Sequence, residues 1–152
     1  MNIKDNQRHQ ETLQRIDAAF AAILREQELN KISVTDLCEK AGIERCTFYA
    51  NYEDIDALAA AHCRKVELQM HEHKTDDFAW IFAYIQDHKE VFETYFKIGF
   101  CGKGENYQET FFRNGVYGIA QLWFTSGCKE SPEDMGRIVK REYCKLFEPR
   151  SL

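Results

Sequence analysis

Proline and long apolar runs are both scarce in this chain. Only two prolines occur in 152 residues, so few positions interrupt a helix. No apolar run approaches the roughly 18 residues of a membrane-spanning helix, and the polar residues 1–25 do not resemble a signal peptide. The sequence therefore predicts a protein with no membrane partner and a cytoplasmic location, where its six cysteines are expected to be reduced thiols.

Motifs of catalysis and metal binding are missing too. The cysteines form no CxxC pair, which argues against a structural zinc framework. The densest group of possible ligands is His62, Cys63, His71 and His73, but a spacing of two residues would put the last two on different sides of a helix. Neither a phosphate-binding glycine loop nor a nucleophile elbow occurs. We predict no catalytic residue, no metal, no cofactor and no enzymatic activity; an aromatic cavity is the sole feature that favours a small helical enzyme.

An excess of basic residues, which nucleic-acid binders often have, is also missing. The chain carries 20 basic and 25 acidic side chains, a net charge of −5, which argues against DNA binding that depends on bulk charge. Its 44% hydrophobic and 13% aromatic content indicates a globular protein. Apolar residues recur with the helical period through most of the sequence, so we predict an all-α fold.

The stretch from Ser33 to Tyr52 predicts two short helices joined by a tight turn. Ser33, with Asp36 three residues later, is typical of a capped helix start. Gly42 ends this helix, because glycine adopts the left-handed conformation at little cost. The second helix is predicted to run from about Arg45 to Tyr52. This arrangement favours a helix-turn-helix, whose second helix can enter the DNA major groove; a generic helical hairpin is the alternative.

Three segments of this stretch stand at a recognisable spacing: Val34–Ile43 (VTDLCEKAGI), Thr47–Tyr49 (TFY) and Tyr52. Together they resemble the N-terminal DNA-binding domain of the TetR family of transcriptional regulators. The resemblance extends from about Leu13 to Leu58. The glycine turn and the aromatic residues of the second helix are its most specific parts.

A looser resemblance continues in the second half of the chain. The pattern from Gly115 through Trp123, followed by Gly127 and Ser131-Pro132-Glu133, is similar to a branch of the family with a short regulatory domain. The resemblance implies two domains. An N-terminal three-helix helix-turn-helix domain would span residues 1–54, and a helical ligand-binding and dimerisation domain would span residues 55–152.

The resemblance implies that the second helix of the motif contacts DNA. Arg45 is the only long donor there, which makes it the best candidate for a bidentate contact with guanine. Tyr49 suits a phosphate, because its hydroxyl projects from a rigid ring; it could instead be a core aromatic. The predicted DNA-binding residues are Arg45, Cys46, Thr47, Tyr49, Ala50 and Asn51.

Three positions depart from the family pattern. Glu44 stands where serine or threonine usually caps the second helix, Asn51 replaces a histidine or tyrosine, and Ile55 replaces a lysine that meets a phosphate. Between Asn30 and Leu58 there are three basic and six acidic side chains. These features motivate an alternative: a TetR-like dimeric module that binds a ligand or a protein and has lost specific DNA binding.

Large aromatic residues crowd the second half of the chain. Aromatic side chains on several helices can line an apolar cavity, but they can equally fill a small core. The resemblance implies a pocket for an effector, and it names no molecule. The predicted pocket residues are Trp80, Tyr84, Phe92, Tyr95, Phe96 and Phe112.

Two apolar stripes near the C-terminus suggest a dimer interface. Gly115 and Gly118 would allow close approach of helices, and two helices from each copy would form a four-helix interface with two-fold symmetry. Packing within the monomer core is the alternative. The predicted interface residues are Val116, Ile119, Ala120, Trp123, Met135, Ile138 and Val139.

Taken together, these features predict a homodimeric transcriptional regulator, a repressor that binds a near-palindromic double-stranded DNA operator and is released by an unidentified small molecule.

Overall fold

The computed structural model describes residues 3–71, 78–99 and 106–147. All regular structure in these residues is helical, with eight α-helices and one short 3-10 helix, and the predicted all-α fold is confirmed. The α-helices are α1 (Ile3–Glu26), α2 (Val34–Ala41), α3 (Arg45–Tyr49), α4 (Ile55–His71), α5 (Ala79–Asp87), α6 (Lys89–Ile98), α7 (Tyr107–Thr125) and α8 (Pro132–Phe147), and the 3-10 helix is Leu29–Lys31.

The chain divides into two compact units. Unit 1 contains the described residues of Met1–Cys63 together with Glu93–Gly99, and unit 2 contains those of Arg64–Phe92 and Phe100–Leu152. The predicted domain of residues 1–54 therefore falls within unit 1, which also takes in the first half of α4 and the second half of α6. The boundary after residue 54 stays a prediction.

The core of unit 1 forms around α1. Ile16, Phe20 and Leu24 stand four residues apart, so they share one side of the helix, and all three are buried. Leu37 of α2 and Phe48 of α3 belong to the same buried cluster. Burial of each such side chain contributes about 1.5–3 kcal/mol, so this cluster holds α2 and α3 against α1.

Both ends of α1 differ from the sequence prediction. The helical period predicts a helix from about Gln7 to Glu28, whereas α1 runs from Ile3 to Glu26. Contacts four residues apart support the early turns: the Gln7 amide lies 3.3 Å from the Glu11 carboxylate. After Glu26 the chain passes into the 3-10 helix.

The C-terminal end of α1 is closed by Lys97 of α6. Its ammonium group donates to the carbonyl oxygens of Leu24, at 3.0 Å, and of Arg25, at 2.8 Å. The last four carbonyl groups of a helix lack partners within the helix, and a positive charge there interacts favourably with the helix dipole. Lys97 thus ties the second half of α6 to α1 within unit 1.

In unit 2, α5 and α8 pack at very close range. A Cβ atom added at Gly136 of α8 would lie 2.6 Å from the backbone nitrogen of Ala79 in α5, so only glycine fits there. The rings of Phe82 in α5 and Trp123 in α7 meet edge to face, with centroids 5.3 Å apart. These contacts form the centre of the unit 2 core.

The sequence Ser131-Pro132-Glu133-Asp134 predicts a helix start, and the structure confirms it. The Ser131 hydroxyl accepts a hydrogen bond from the backbone N–H of Asp134 at 3.1 Å, and Pro132 is the first helical residue. The Ser131 hydroxyl also donates to the Asp134 carboxylate at 3.0 Å, which lowers the pKa of that carboxyl group. The sequence also predicts a helix cap at Thr75, a residue that lies outside the described ones.

The end of α7 is close to its predicted place. The sequence predicts a helix to Ser126 closed by Gly127, and α7 ends at Thr125 with Ser126 as its C-cap. Gly127 has φ +93°, and the N–H of Cys128 donates to the carbonyl of Trp123 at 2.9 Å. This is the hydrogen-bond pattern of a Schellman helix end.

Candidate nucleic-acid interface

The helix α2 is held at both ends as its sequence predicts. The Ser33 hydroxyl accepts from the backbone N–H of Asp36 at 3.1 Å and donates to its carboxylate at 2.7 Å. Gly42 has φ 63° and ψ 42°, in the left-handed region, and the N–H of Ile43 donates to the carbonyl of Cys38 at 3.0 Å. These contacts fix where the chain leaves α2 and enters the turn.

The turn between α2 and α3 is also fastened to α1. The guanidinium of Arg15 donates to the carbonyl oxygen of Gly42 at 3.3 Å. Ile43, the next residue, is half-buried and packs against the unit 1 core. The turn therefore has a polar contact on one side and an apolar contact on the other, which restricts the direction in which α3 starts. Arg15 and Gly42 are 27 positions apart, so no local sequence pattern could have indicated the hydrogen bond between them.

The helix α3 is anchored by a single large side chain. Phe48 is buried, and its ring contacts those of Tyr49 and Tyr52, with centroids 5.4 and 5.8 Å away. Glu44 occupies the N-cap position and makes no side-chain cap bond, as expected for a poor cap. Burial of Phe48 therefore contributes more to the placement of α3 than its N-terminal cap does.

The predicted length of α3 is wrong: the helix ends at Tyr49 rather than at Tyr52. The side-chain amide of Asn51 donates to the carbonyl of Thr47 at 2.8 Å, which satisfies a carbonyl at the helix end. Asp54 then caps α4 by accepting from the N–H of Ala57 at 2.7 Å. The chain has to turn between these two points, which leaves no room for a longer α3.

The predicted DNA-binding residues belong to α3 and to the two residues that follow it. Four of them are exposed and two are half-buried, and none is buried in the core. The exposed four are Arg45, Cys46, Tyr49 and Ala50, and the half-buried two are Thr47 and Asn51. We call this set the outer face of α3.

Arg45 and Tyr49 interact across one turn of the outer face. The guanidinium of Arg45 donates to the Tyr49 hydroxyl at 3.4 Å, and its Cζ atom lies 5.9 Å from the centre of the ring. The hydrogen bond with Tyr49 raises the pKa of the Arg45 guanidinium. Tyr49 is 51% exposed, so its phenol is accessible, and the core-aromatic alternative does not describe it.

Asn51 is already engaged within its own helix. Its amide donates to Thr47, so the DNA contact predicted for it would have to use the second N–H of the same group. The structure thus gives Asn51 a role at the helix end that the sequence did not indicate.

Several acidic residues near α3 have structural partners. At the start of α2 the Asp36 carboxylate accepts a hydrogen bond from the Ser33 hydroxyl, and the Asp36 backbone N–H donates to that same hydroxyl. Asp54 caps α4, and the Glu44 carboxylate accepts from the thiol of Cys46 at 3.4 Å. The negative charge of this region is therefore partly explained by helix capping, because acids at helix starts interact favourably with the dipole.

The two cysteines of the motif differ in environment. Cys38 is buried in the unit 1 core, and burial raises the pKa of its thiol. Cys46 is exposed on the outer face, and neither residue is in a disulfide. Thiol reactivity follows thiolate content and access, so Cys46 is the more accessible to reagents.

The predicted pocket residues fall into both units. Tyr95 and Phe96 are buried in unit 1, and Phe92 is buried in unit 2. The other three, Trp80, Tyr84 and Phe112, are half-buried in unit 2. Their role as pocket residues stays a prediction.

The predicted dimer residues are mostly turned inward. Ala120, Trp123, Met135 and Val139 are buried within unit 2 of one copy. Val116, Ile119 and Ile138 are half-buried. Side chains that are already buried in one copy have little surface to offer a partner, so the outward side of these helices is the side to consider for a dimer.

The suggested histidine and cysteine group gives no metal site in the described part of the chain. There, no three or more histidine, cysteine or acidic side chains stand close enough to hold a metal ion. The Nε2 atom of His62 lies 3.4 Å from the hydroxyl of Thr94, and its ring meets Phe20 edge to face. The position of His73 lies outside the described residues.

No protein-family model matches the chain, and no curated protein matches it. Among the described helices, none is both long enough and apolar enough to cross a membrane.

Proposed function

We propose that this protein is a transcriptional regulator that binds double-stranded DNA through the outer face of α3. The observation that carries the proposal is the difference in burial between the side chains of α3. Phe48 fixes one side in the core, while Arg45, Tyr49 and their neighbours face outward. A short helix that is rigidly held and polar on its free side is suited to enter the major groove.

Arg45 is the residue that we propose for sequence recognition. It is the first residue of α3, and the N-terminal residues of such a helix contact base edges. Its guanidinium can donate two parallel hydrogen bonds to guanine, whereas Tyr49 and Thr47 can donate to phosphate or base oxygens. The position of Arg45 beside Tyr49 supports this assignment, because the ring limits the conformations of the long side chain.

The wider arrangement follows the TetR resemblance. A helix-turn-helix domain would precede a helical domain that binds an effector and forms the homodimer. Two copies would present two α3 helices to a near-palindromic operator. A small molecule that favours one spacing of these helices over another would release the DNA, which makes the protein a repressor.

The charge near α3 favours a second candidate. Three basic residues stand against six acidic ones between positions 30 and 58, and phosphate contacts dominate DNA affinity. A dimeric module that binds a ligand or a protein, without specific DNA binding, would tolerate this charge. The charge argument for this second candidate is weakened by the capping roles of Asp36 and Asp54, because helix capping explains the presence of these two acids.

Selection of genomic DNA fragments by the purified protein at low salt separates the two candidates. The proposal predicts enrichment of a recurring near-palindromic sequence. An absence of any enriched sequence would favour the module that does not bind DNA.

A further inference from the structure

One side of α7 is exposed and uncharged, and the described part of the chain leaves it uncovered. Tyr107 is 96% exposed, Phe111 59% and Leu122 70%, and Gly115 and Gly118 stand between the last two. The spacings of four, four, three and four residues place all five on one side of a helix. We call this set the α7 stripe. It is not the side predicted from the sequence, which faces inward.

Contacts within the described part of the chain do not explain the two glycines of the stripe. A glycine inside a helix costs about 1 kcal/mol relative to alanine. At Gly136 the reason is visible, because an added Cβ atom would meet the backbone of Ala79 at 2.6 Å. An added Cβ at Gly115 or Gly118 would meet nothing within 4 Å. Close approach by a group outside this chain would account for glycine at both positions of the stripe.

The stripe also lacks charge. The charged residues of α7 are Glu109 and Arg113, and both are off the stripe. Arg113 lies 3.8 Å from Glu109 and 3.1 Å from Glu67 of α4. The protein as a whole is 30% charged, so a helix side without charge over 19 residues has the composition of an interface centre. It offers nothing that would attract a strongly charged partner.

The arrangement of the stripe selects a second copy of this chain as the partner. Phe111 and Leu122 lie at equal distances in sequence from the midpoint between residues 116 and 117, and so do Gly115 and Gly118. Two antiparallel helices related by a two-fold axis at that midpoint would therefore place large residues opposite each other and glycine opposite glycine. An isologous interface requires such self-complementarity.

We propose that the α7 stripe is the surface through which two copies of this protein associate, with the two α7 helices antiparallel. Phe111 of one copy faces Leu122 of the other, and the glycines let the two backbones approach at the centre. The proposal rests on the homodimer of the proposed function and specifies its contact surface.

The stripe alone is smaller than a standard protein interface, so neighbouring residues have to contribute buried area. Large apolar side chains bury about 150–250 Å² each, so three of them at the observed exposures offer on the order of 400 Å² per copy. A standard interface buries about 800 Å² per partner. The stripe thus supplies the centre of the interface, and flanking polar residues of α7 such as Gln108 and Thr125, both exposed, supply its rim.

Two leucines of nearly equal exposure provide a matched test. Leu122 is on the stripe, whereas Leu68 of α4 is 66% exposed and off it. Sedimentation equilibrium of the full chain should show that Leu122→Ala raises the dimer dissociation constant about tenfold or more. Leu68→Ala should leave it within about twofold. A wild-type chain that stays monomeric, or equal effects of the two variants, would overturn the proposal.

Charge pairs test the antiparallel orientation. Phe111→Glu alone and Leu122→Lys alone should each dissociate the dimer. The double variant should regain it, because each glutamate then faces a lysine of the other copy, and the association should weaken with salt. A double variant that stays monomeric would contradict this orientation. Selection of DNA fragments by the same proteins reports on the proposed function separately, since a dimer formed through another surface could still select an operator.

Discussion

The guanidinium of Arg45 lies over the ring of Tyr49, 5.9 Å from its centre, and donates to its hydroxyl at 3.4 Å. The two residues are one helical turn apart on the exposed side of α3. The pair gives the long arginine side chain a preferred position before DNA is bound. Preorganisation of this kind lowers the entropy cost of binding.

Removal of the Tyr49 hydroxyl tests what this group contributes. Tyr49→Phe keeps the ring beneath Arg45 and loses one hydrogen-bonding group, so we expect DNA affinity to fall by about 1 kcal/mol. The loss should be similar for selected and unrelated DNA, because phosphate contacts carry no sequence information. Fluorescence anisotropy titrations on both DNAs measure it. A loss confined to the selected DNA would show that Tyr49 acts through Arg45 on base recognition instead.

Phe48 and Tyr49 are adjacent and have opposite surroundings. Phe48→Ala should destabilise unit 1 by about 3–5 kcal/mol, because it leaves a cavity in the core. Tyr49→Ala should cost only about 1 kcal/mol, since Tyr49 is half exposed and loses surface contacts with Phe48 and Arg45 without opening a cavity in the core. Urea unfolding followed by circular dichroism compares the two. Equal losses of stability would mean that α3 is not anchored by Phe48.

Lys97 should stabilise the end of α1. Lys97→Met removes two hydrogen bonds to the carbonyls of Leu24 and Arg25, and water can replace them only in part. We expect a loss of about 1–2 kcal/mol in the free energy of unfolding. Lys89→Met, the same change at an exposed position of the same helix, is the control and should be close to neutral. A neutral Lys97→Met would contradict the capping role.

The thiol of Cys46 is a probe of the outer face. We expect a maleimide reagent to modify Cys46 faster than Cys38, which is buried and has a raised thiol pKa. Selected DNA should slow the modification of Cys46 several-fold. The half-buried Cys128 of unit 2 should react at the same rate with and without DNA. Peptide mapping by mass spectrometry gives the rates, and an unprotected Cys46 would place DNA elsewhere.

Features fixed by neighbouring residues could be predicted from the sequence. Ser33, Gly42 and Ser131 act where local capping chemistry places them, because a cap depends on residues within one turn. The helical period of the apolar residues in α1 likewise agrees with the positions that are buried, such as Phe20.

Features that depend on distant contacts could not be predicted. The contacts of Lys97 with α1 and of Arg15 with the Gly42 turn join residues far apart in sequence. The early end of α3 follows from the start of α4, set by Asp54. The helical period predicts the apolar stripe of Val116 and its neighbours. Periodicity alone does not tell whether such a stripe faces its own chain or a partner.

The most direct test of DNA binding through α3 is a selection of genomic fragments with three proteins side by side: wild type, Arg45→Ala and Arg64→Ala. Arg64 is exposed on α4 in unit 2 and serves as the control for loss of one positive charge. The wild type and Arg64→Ala should enrich the same near-palindromic sequence, with a guanine at matching positions of both half-sites. Arg45→Ala should lose the preference for that guanine, at a cost of about 1–3 kcal/mol. The account would be contradicted if the wild type enriched no sequence, or if Arg45→Ala kept the same guanine preference.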